Sequence, residues 1–549
     1  MPNRAERASR LIVAAAVGVV IAILGVWAQN AALVGINYDD GIYALLAKAV
    51  ADGEGYLLTF LPVSLPGIKY PPVYPLTLVP FWSLAGSQES ALWGMKIANG
   101  LYLGAAAGTF AYLLADLRLM PIYLTAVVAV VSFASGTMML VTAGVLSEPL
   151  YMVLLFAALW AADGGEGRPG TARLVVAGLL AGLVVLTRSV GVTVVVAVAI
   201  GLWLRYGWRT AAKALGVAVL LMAPWLAFTL AKSGQVPEVL VPRYGSYLQL
   251  YLANLGGSLG SAIDIFSTNL GAILQTLGAK LAPHFGSTMQ SLTGAALIAL
   301  AMLGSVKIVR KAPATAIYPW VYLALISVWS FPPFRFLFIL FPLLLALAVV
   351  STPVLAGRIG AALGKMSGGR IQQSWPKFAV IGLGVVVLAG LGYRESRAVA
   401  RRVWDGSELD KSASGAEVID WVLKSTGPHT VVAYEFDPLI ALHTGRKVVP
   451  NNYEPVHIWY RTAAPPVEPL ARMFSEMGVG YVAVRLNVPL AAAPIDALVE
   501  RYPGILNLTF VTKRGAAIFE TDLDVLRAQL DPPDRVESPG GPGDGEASN

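Results

Sequence analysis

The chain has 549 residues, of which 56% are hydrophobic and 13% charged, with a formal net charge of +7. Soluble domains average about 25% charged residues, so this composition excludes a soluble enzyme as well as collagen-like and disordered chains. The absence of cysteine excludes disulfides, thiol catalysis and Cys-ligated zinc. Apolar stretches long enough to cross a bilayer, about 17–25 residues each, recur up to residue 395 and predict a polytopic α-helical membrane protein.

The first apolar segment, 11–28, follows a basic N-terminus and predicts an uncleaved helix that starts in the cytoplasm. Cleavage after Ala28, as in a secretory signal peptide, is the alternative. Ten further segments have the length and hydropathy of membrane helices, so that about 11–13 transmembrane helices are expected. These segments are 91–115, 121–141, 147–162, 172–188, 190–206, 211–231, 293–309, 316–331, 336–356 and 378–393.

The apolar stretch 71–86 contains four prolines, which remove backbone donors and break helices. We expect an interfacial or re-entrant element there, because unpaired backbone groups are costly in lipid. With this stretch not spanning, 16 of the 24 lysines and arginines before residue 394 fall in cytoplasmic loops, as the positive-inside rule requires. This topology predicts outer loops at 37–90 and 232–290, with membrane-surface helices at 41–51 and 262–281.

The sequence changes character after the transmembrane catalytic domain predicted at 1–395. Apolar runs shorten to strand length and alternate with helical patterns near 415–425, 467–477 and 493–502, so 396–530 predicts an extracytoplasmic α/β domain. Its expected strands are Thr430–Tyr434, Lys447–Val449, Tyr481–Val484, Leu506–Val511 and Ala516–Phe519. The remaining residues, 531–549, are rich in proline, glycine and acids, which predicts a disordered tail.

Acidic side chains beside membrane helices are informative because charge is expensive to bury there. Asp39 and Asp40 follow the first helix, and Glu148 begins a later one. Structural explanations compete, since Asp40 can cap the next helix and Glu148 can complement a helix dipole. As catalytic candidates, the three carboxylates can accept a proton from an acceptor group or hold a divalent cation such as Mg²⁺ or Mn²⁺.

Six basic side chains are expected on the outer side: Lys69, Arg188, Lys232, Arg243, Lys280 and Arg335. Arg188 lies between two apolar runs with hardly any loop, so it requires an anionic partner from the protein or from a ligand. Arg335, at the start of an apolar helix, can instead be an interfacial arginine whose head group snorkels to water. The candidates for binding a donor phosphate are Lys69, Arg188, Arg243 and Arg335.

Tyrosines are frequent in the first outer loop. Tyr43, Tyr70 and Tyr74 are candidate contacts for a sugar or an acceptor, with an interfacial aromatic belt as the simpler explanation. Together, the acids, cations and rings suit a sugar donor linked to a lipid phosphate. Its phosphate requires cations, and its transfer requires a carboxylate base.

Several motifs, in this order, resemble those of a known family. The first outer loop contains Tyr38-Asp39-Asp40-Gly41-Ile42-Tyr43 and then Lys69-Tyr70-Pro71-Pro72-Val73-Tyr74; later come Leu146-Ser147-Glu148-Pro149 and Arg335 before Leu340-Phe341-Pro342. They resemble the GT-C membrane glycosyltransferases, in particular the bacterial branch related to protein O-mannosyltransferases and the lipid A aminoarabinose transferase. One departure is Tyr70-Pro71, where the aminoarabinose transferases carry an acid and a lysine.

The resemblance implies a GT-C-like fold and inverting transfer of a hexosyl or pentosyl group. The donor would be a polyprenyl-phosphate sugar, and the acceptor a lipid, glycan or protein on the outer face of the plasma (inner) membrane. By position, Asp39 matches the catalytic acidic residue of the family, which acts as base, and Asp40 matches its neighbour. Glu148 matches the second acidic position. Arg243 lies in the loop where relatives contact the donor phosphate.

Two other classes of function are alternatives to this one. The first is a polytopic transporter or lipid flippase, and the second is a glycan polymerase or ligase that uses a diphosphate-linked donor. Transporters usually contain repeated halves, and the sequence shows no convincing repeat, which favours the enzyme. No nucleic-acid partner is expected.

Overall fold

All eleven apolar segments form helices in the computed structural model, which describes residues 4–165, 167–250, 259–329, 331–366, 374–452 and 467–531. The described residues form two units: one extends to Ala413 without Phe60–Val63, and the other contains Phe60–Val63 and the chain from Ser414 onward. The predicted disordered tail lies outside the described residues, apart from Asp531.

The helices of the first unit follow the apolar pattern. They are α1 (Arg4–Trp27), α2 (Asp39–Ala51), α3 (Val73–Leu84), α4 (Gln88–Asp116), α5 (Ile122–Phe133), α6 (Gly136–Ala143), α7 (Glu148–Asp163), α8 (Thr171–Thr187), α9 (Val192–Tyr206), α10 (Trp208–Lys232), α11 (Val241–Tyr244), α12 (Leu259–Ala279), α13 (Ser287–Ile308), α14 (Pro313–Ser327), α15 (Phe334–Met366) and α16 (Ser374–Ala400); α17 (Asp405–Ser425) follows. A short antiparallel pair, β1 (Leu57–Leu58) and β2 (Leu65–Pro66), lies between α2 and α3.

Among the described residues, seven helices are long and apolar enough to cross a membrane. An eighth span results if α5 and α6, which meet at a bend of 56°, count as one. Helices α7, α8 and α14, with 16, 17 and 15 residues, are shorter and complete the eleven segments expected from the sequence. The fold is therefore that of a polytopic helical membrane protein.

Helices α2 and α3 lie in the segment 37–90, the predicted first outer loop. Helix α3 has 12 residues, which at about 1.5 Å per residue is too short to cross a bilayer, in agreement with the non-spanning element expected at 71–86. The helix expected at 41–51 is confirmed as α2, whose residues are buried on almost every side. Its position on the membrane surface stays a prediction. Trp82 of α3 donates its indole N–H to the carbonyl of Ala44, which joins the two helices at 2.9 Å.

Helices α1 and α4 pack with their backbones in close contact. A Cβ atom added at Gly104 would lie 2.4 Å from the Cβ of Ala22 and 2.6 Å from the carbonyl oxygen of Gly18. A Cβ atom at Gly25 would lie 2.9 Å from the backbone of Gly100. Small residues at such an interface allow the van der Waals contact that drives helix association in lipid.

The second unit contains a five-stranded sheet. Its strands are β3 (Val431–Ala433), β4 (Lys447–Val449), β5 (Val479–Arg485), β6 (Leu506–Val511) and β7 (Ala516–Thr521), with helices α18 (Asp437–Thr444), α19 (Val467–Met477), α20 (Pro489–Arg501) and α21 (Leu523–Leu530). The strand order is β4-β3-β5-β7-β6, in which the first three strands are parallel and β7 is antiparallel to both of its neighbours. All five expected strands are confirmed, whereas the sequence analysis missed α18 and α21.

We expect Gly104→Ala to destabilise the protein by about 1–3 kcal/mol, because overpacking forces backbone shifts in a packed interface. Thermal unfolding in detergent measures the effect. Gly216→Ala in α10 is the matched control, since nothing lies near a Cβ atom at that position. Equal melting temperatures for the two variants would contradict the packing role of Gly104.

Candidate active site

Four charged side chains of the first unit come together where three helices start and a fourth ends. Asp39 begins α2, Glu148 begins α7 and Arg335 lies in the first turn of α15. Arg188 follows the last residue of α8. Acids at helix N-termini are stabilised by the helix dipole, so the local structure favours the two carboxylates where they stand.

Arg335 joins the two carboxylates. Its Nη1 lies 2.9 Å from Oδ2 of Asp39, and its Nη2 lies 2.7 Å from Oε1 of Glu148. Arg188 extends the series, because its Nη1 lies 3.0 Å from the same Glu148 oxygen. We call these four side chains the ion-pair chain. Two acids and two arginines make it formally neutral, which is the condition under which buried charge is tolerated.

Exposure differs between the two ends of this chain. The side chain of Glu148 is 1% exposed and that of Arg188 is 12% exposed. At the other end, Asp39 is 24% exposed and Arg335 is 36% exposed. Asp39 is therefore the carboxylate that a ligand can approach, whereas Glu148 holds the arginines in place.

Arg188 has its anionic partner within the protein. Besides Glu148, it donates from Nη1 to the Ser147 hydroxyl at 2.9 Å. Ser147 in turn lies 3.0 Å from the hydroxyl of Tyr43. This position makes Arg188 a positioning residue for Glu148 and disfavours its predicted contact with a donor phosphate.

The three predicted tyrosines form a packed group. The ring of Tyr43 packs edge to face against Tyr70 and Tyr74, with centroids 5.5 and 4.9 Å away. All three are buried, and burial raises the pKa of Tyr43 and Tyr70, so both stay protonated donors. Tyr70 donates to Oδ1 of Asp39 at 3.3 Å, which leaves it as the one member of this trio in contact with the ion-pair chain. This geometry gives Tyr43 and Tyr74 a packing role and does not support direct contact with a sugar.

Asp40 does not join the ion-pair chain. Its carboxylate is buried and accepts from the backbone N–H groups of Asn37, at 3.1 Å, and Gly41, at 2.9 Å. Burial raises its pKa from 3.8 to about 6. Asp40 thus stabilises the turn that leads into α2, and its predicted catalytic role is not supported by its position.

Lys69 and Arg243 lie together although they come from different segments, the predicted outer loops 37–90 and 232–290. The ammonium of Lys69 donates to the backbone carbonyl of Arg243 at 2.7 Å. It also faces the rings of Tyr247 and Phe331, at 5.8 and 5.7 Å from their centroids. The guanidinium of Arg243 stacks 3.9 Å from the ring centroid of Tyr38, the residue that precedes Asp39. Two cations are therefore placed beside the accessible acid.

A divalent cation does not fit the three acids as one site. Asp39 and Glu148 share Arg335, while the carboxylate of Asp40 is directed at backbone N–H groups. Within the described ranges, no group of three or more acidic or histidine side chains is placed to hold a metal ion. A metal at Asp39, Asp40 and Glu148 stays a prediction of the sequence.

Three comparisons place the chain among known proteins. No protein-family model matches the sequence, and no curated protein matches it. Among solved structures, ArnT from Cupriavidus metallidurans bound to undecaprenyl phosphate matches with a TM-score of 0.54 and 14% identity, over 93% of this chain and 97% of that chain. ArnT is the lipid A aminoarabinose transferase, a GT-C protein. The chain has the GT-C fold.

Two other matches score lower. ArnT from the same organism in the apo state has a TM-score of 0.49 and 11% identity, covering 92% of this chain and 96% of that chain. Arabinofuranosyltransferase AftD from Mycobacteria has a TM-score of 0.43 and 15% identity, covering 93% of this chain and 40% of that chain. The GT-C fold is therefore assigned from the first match and from the helices described above.

The sequence analysis missed several residues of the site in this GT-C fold. Ser147 bridges Arg188 and Tyr43, and Tyr247 faces Lys69. Tyr38, which has a φ of +64° and faces Arg243, is part of the motif around Asp39 but was not a candidate site residue. The position of Ser147 directly before Glu148 was the one local signal, whereas Tyr247 had none.

We expect Asp40→Asn to change how stability depends on pH. The pKa of Asp40 is raised in the folded state, so the native protein binds more protons than the unfolded chain between pH 4 and 6. Stability from this group is present below pH 4 and is lost as pH rises towards 6, about 3 kcal/mol for a shift of about two pKa units. The amide keeps the acceptor for Gly41 and Asn37 without the charge.

The difference in melting temperature between the wild type and Asp40→Asn measures this effect. The variant should gain relative stability as pH rises from 4 to 6, and the difference should be constant above pH 7. A difference that stays flat from pH 4 to 8 would show that the pKa of Asp40 is not raised in the native state.

Proposed function

We propose that the protein is a membrane glycosyltransferase that moves a sugar from a polyprenyl-phosphate donor to a lipid, glycan or protein acceptor. The observation that carries the proposal is the ion pair of Asp39 with Arg335 at the accessible end of the ion-pair chain, with Arg335 held from the other side by the buried Glu148. The GT-C fold supports it, because the matched ArnT structure holds undecaprenyl phosphate.

Asp39 is the proposed base. Its Oδ2 is held by Arg335 and its Oδ1 accepts from Tyr70, so the carboxylate is fixed while part of it stays accessible. An acceptor hydroxyl or amine would attack the anomeric carbon of the donor as its proton passes to Asp39. The bond from that carbon to the phosphate oxygen breaks, and polyprenyl phosphate leaves. A single displacement of this kind inverts the anomeric centre.

Lys69, Arg243 and Arg335 are proposed to bind the donor phosphate. Charge grows on this phosphate as the glycosidic bond breaks, and fixed cations stabilise it. Arg243 stacks on Tyr38, the residue before Asp39. Lys69 precedes Tyr70, which donates to Asp39, and Lys69 itself donates to the carbonyl of Arg243. Arg188 acts at one remove, by holding Glu148 and so Arg335.

The proposed setting is the outer face of the plasma membrane. Residues 1–393 carry 24 basic and 12 acidic side chains, or +12, and 394–549 carry 16 and 21, or −5. Most of the positive charge falls in loops assigned to the cytoplasm, and the positive-inside rule supports that orientation. The ion-pair chain and the second unit would then both lie outside.

We expect Asp39→Asn to lower sugar transfer at least about 10²-fold, because the amide cannot accept a proton. Membranes that contain the full-length protein are supplied with labelled undecaprenyl-phosphate sugars, and transfer of the label is counted. Asp52→Asn is the matched control, since Asp52 follows α2 in the same outer loop and pairs with the exposed Lys48. Full turnover by Asp39→Asn would exclude Asp39 as the base. Absence of transfer by wild-type membranes would favour the transporter or the diphosphate-dependent polymerase.

We expect Lys69→Met to raise the KM for the donor about tenfold, the loss of one charge-assisted contact, with a smaller change in kcat. The methionine keeps the apolar stem of the side chain, and a melting curve checks the fold. Lys48→Met is the control, because Lys48 is half-exposed and pairs with Asp52. An unchanged KM would exclude Lys69 from donor binding.

A further inference from the structure

A charged cleft, separate from the ion-pair chain, lies in the first unit. It has a volume of about 630 Å³ and is bordered by α6, α12, α13, α15 and α16. Its charged lining residues are Lys280, Arg394 and Glu395. None of the members of the ion-pair chain lines it, although Phe334, at its edge, precedes Arg335. The cleft is thus separate from the proposed reaction centre and next to it.

The charges in this cleft do not balance. Glu395 pairs with Arg394 and also accepts the N–H of Gly136 at 3.1 Å, at the start of α6. The ammonium of Lys280 hydrogen-bonds to the hydroxyl of Thr137. Within the described part of the chain, Lys280 forms no ion pair. The lining therefore has two cations for one carboxylate, a net charge of +1.

Two aromatic rings lie close to Lys280. Its ammonium lies 5.8 Å from the ring centroids of Phe338 and Phe341. Burial lowers its pKa to about 8, a value at which the group is still mostly charged near neutral pH. Glu395 stabilises this charge only in part, since it also pairs with Arg394. A buried cation without an ion pair of its own costs free energy, and a further anion in the cleft would offset that cost.

An apolar groove begins on the other side of Glu395. It has a volume of about 590 Å³, and Glu395 lines both it and the charged cleft. Apart from Glu395 and Ser396 its lining is apolar, with Ile23 and Leu24 from α1 and Val130 and Val131 from α5. Ile23 is exposed, so the groove opens on the surface that the membrane would cover.

We propose that the charged cleft binds the phosphate-bearing headgroup of an anionic membrane lipid whose hydrocarbon chain lies in the apolar groove. The positive lining suits a phosphate, and the adjoining groove suits a chain rather than a soluble anion. Charge-assisted hydrogen bonds from Lys280 and Arg394 would hold the headgroup. This lipid site is additional to the donor site at Asp39, and the proposal does not depend on sugar transfer.

Native mass spectrometry of the full-length protein in detergent tests the proposal. The protein is titrated with phosphatidylglycerol and with phosphatidylcholine of the same acyl chains. We expect wild-type protein to bind phosphatidylglycerol at least about tenfold more tightly, and Lys280→Met with Arg394→Gln to abolish that preference. Arg397→Gln is the matched control, because Arg397 is exposed on the same helix and stacks on Tyr393.

A second variant removes the dependence on charge mutants that can disturb folding. Val131→Trp fills the apolar groove without touching Lys280 or Arg394, and it should weaken phosphatidylglycerol binding while the melting temperature is kept. Equal affinity of the wild type and the double variant would overturn the site. Displacement of the lipid by millimolar inorganic phosphate alone would assign the cleft to a soluble anion and overturn the lipid. Loss of binding in Lys69→Met instead would move the lipid to the donor site.

Discussion

The placement of Arg335 between two carboxylates is the interaction on which the rest of the site depends. A guanidinium has donors in a fixed planar fork, so it can bind Asp39 and Glu148 at once with defined geometry. In a buried setting each of these charges would be costly alone. Because their combination is neutral, the starts of three helices can meet there. The meeting point places an accessible carboxylate, Asp39, beside fixed cations.

The gradient of exposure along the ion-pair chain separates support from chemistry. Glu148 and Arg188 lie at the buried end, where Arg188 also donates to Ser147 and Ser147 bonds to Tyr43. Asp39 lies at the accessible end, with both carboxylate oxygens held. Support of the proposed base by ion-paired neighbours is the kind of arrangement that a preorganised active site requires.

Asp39 and Asp40 illustrate how adjacent identical residues acquire different roles. Successive side chains at the start of a helix point in directions about 100° apart, so one carboxylate reaches Arg335 and the other reaches the backbone of Asn37 and Gly41. The sequence presents an acidic pair suited to a metal, whereas the fold divides it into an accessible acid and a buried turn residue. No local pattern distinguishes the two, since both lie in the first turn of the same helix.

Local patterns determined the helices of the membrane unit, the short α3 and all five strands of the second unit, because hydropathy and its period act within one segment. They also located Asp39, Glu148, Lys69 and Arg335 as the side chains to examine. Only the tertiary structure decided their partners: Arg335 meets Asp39 across 296 positions and Glu148 across 187. Contacts over such separations depend on how helices pack, and that information is distributed over the whole chain. For the same reason α2, amphipathic by its own sequence, is buried by α3 and its other neighbours.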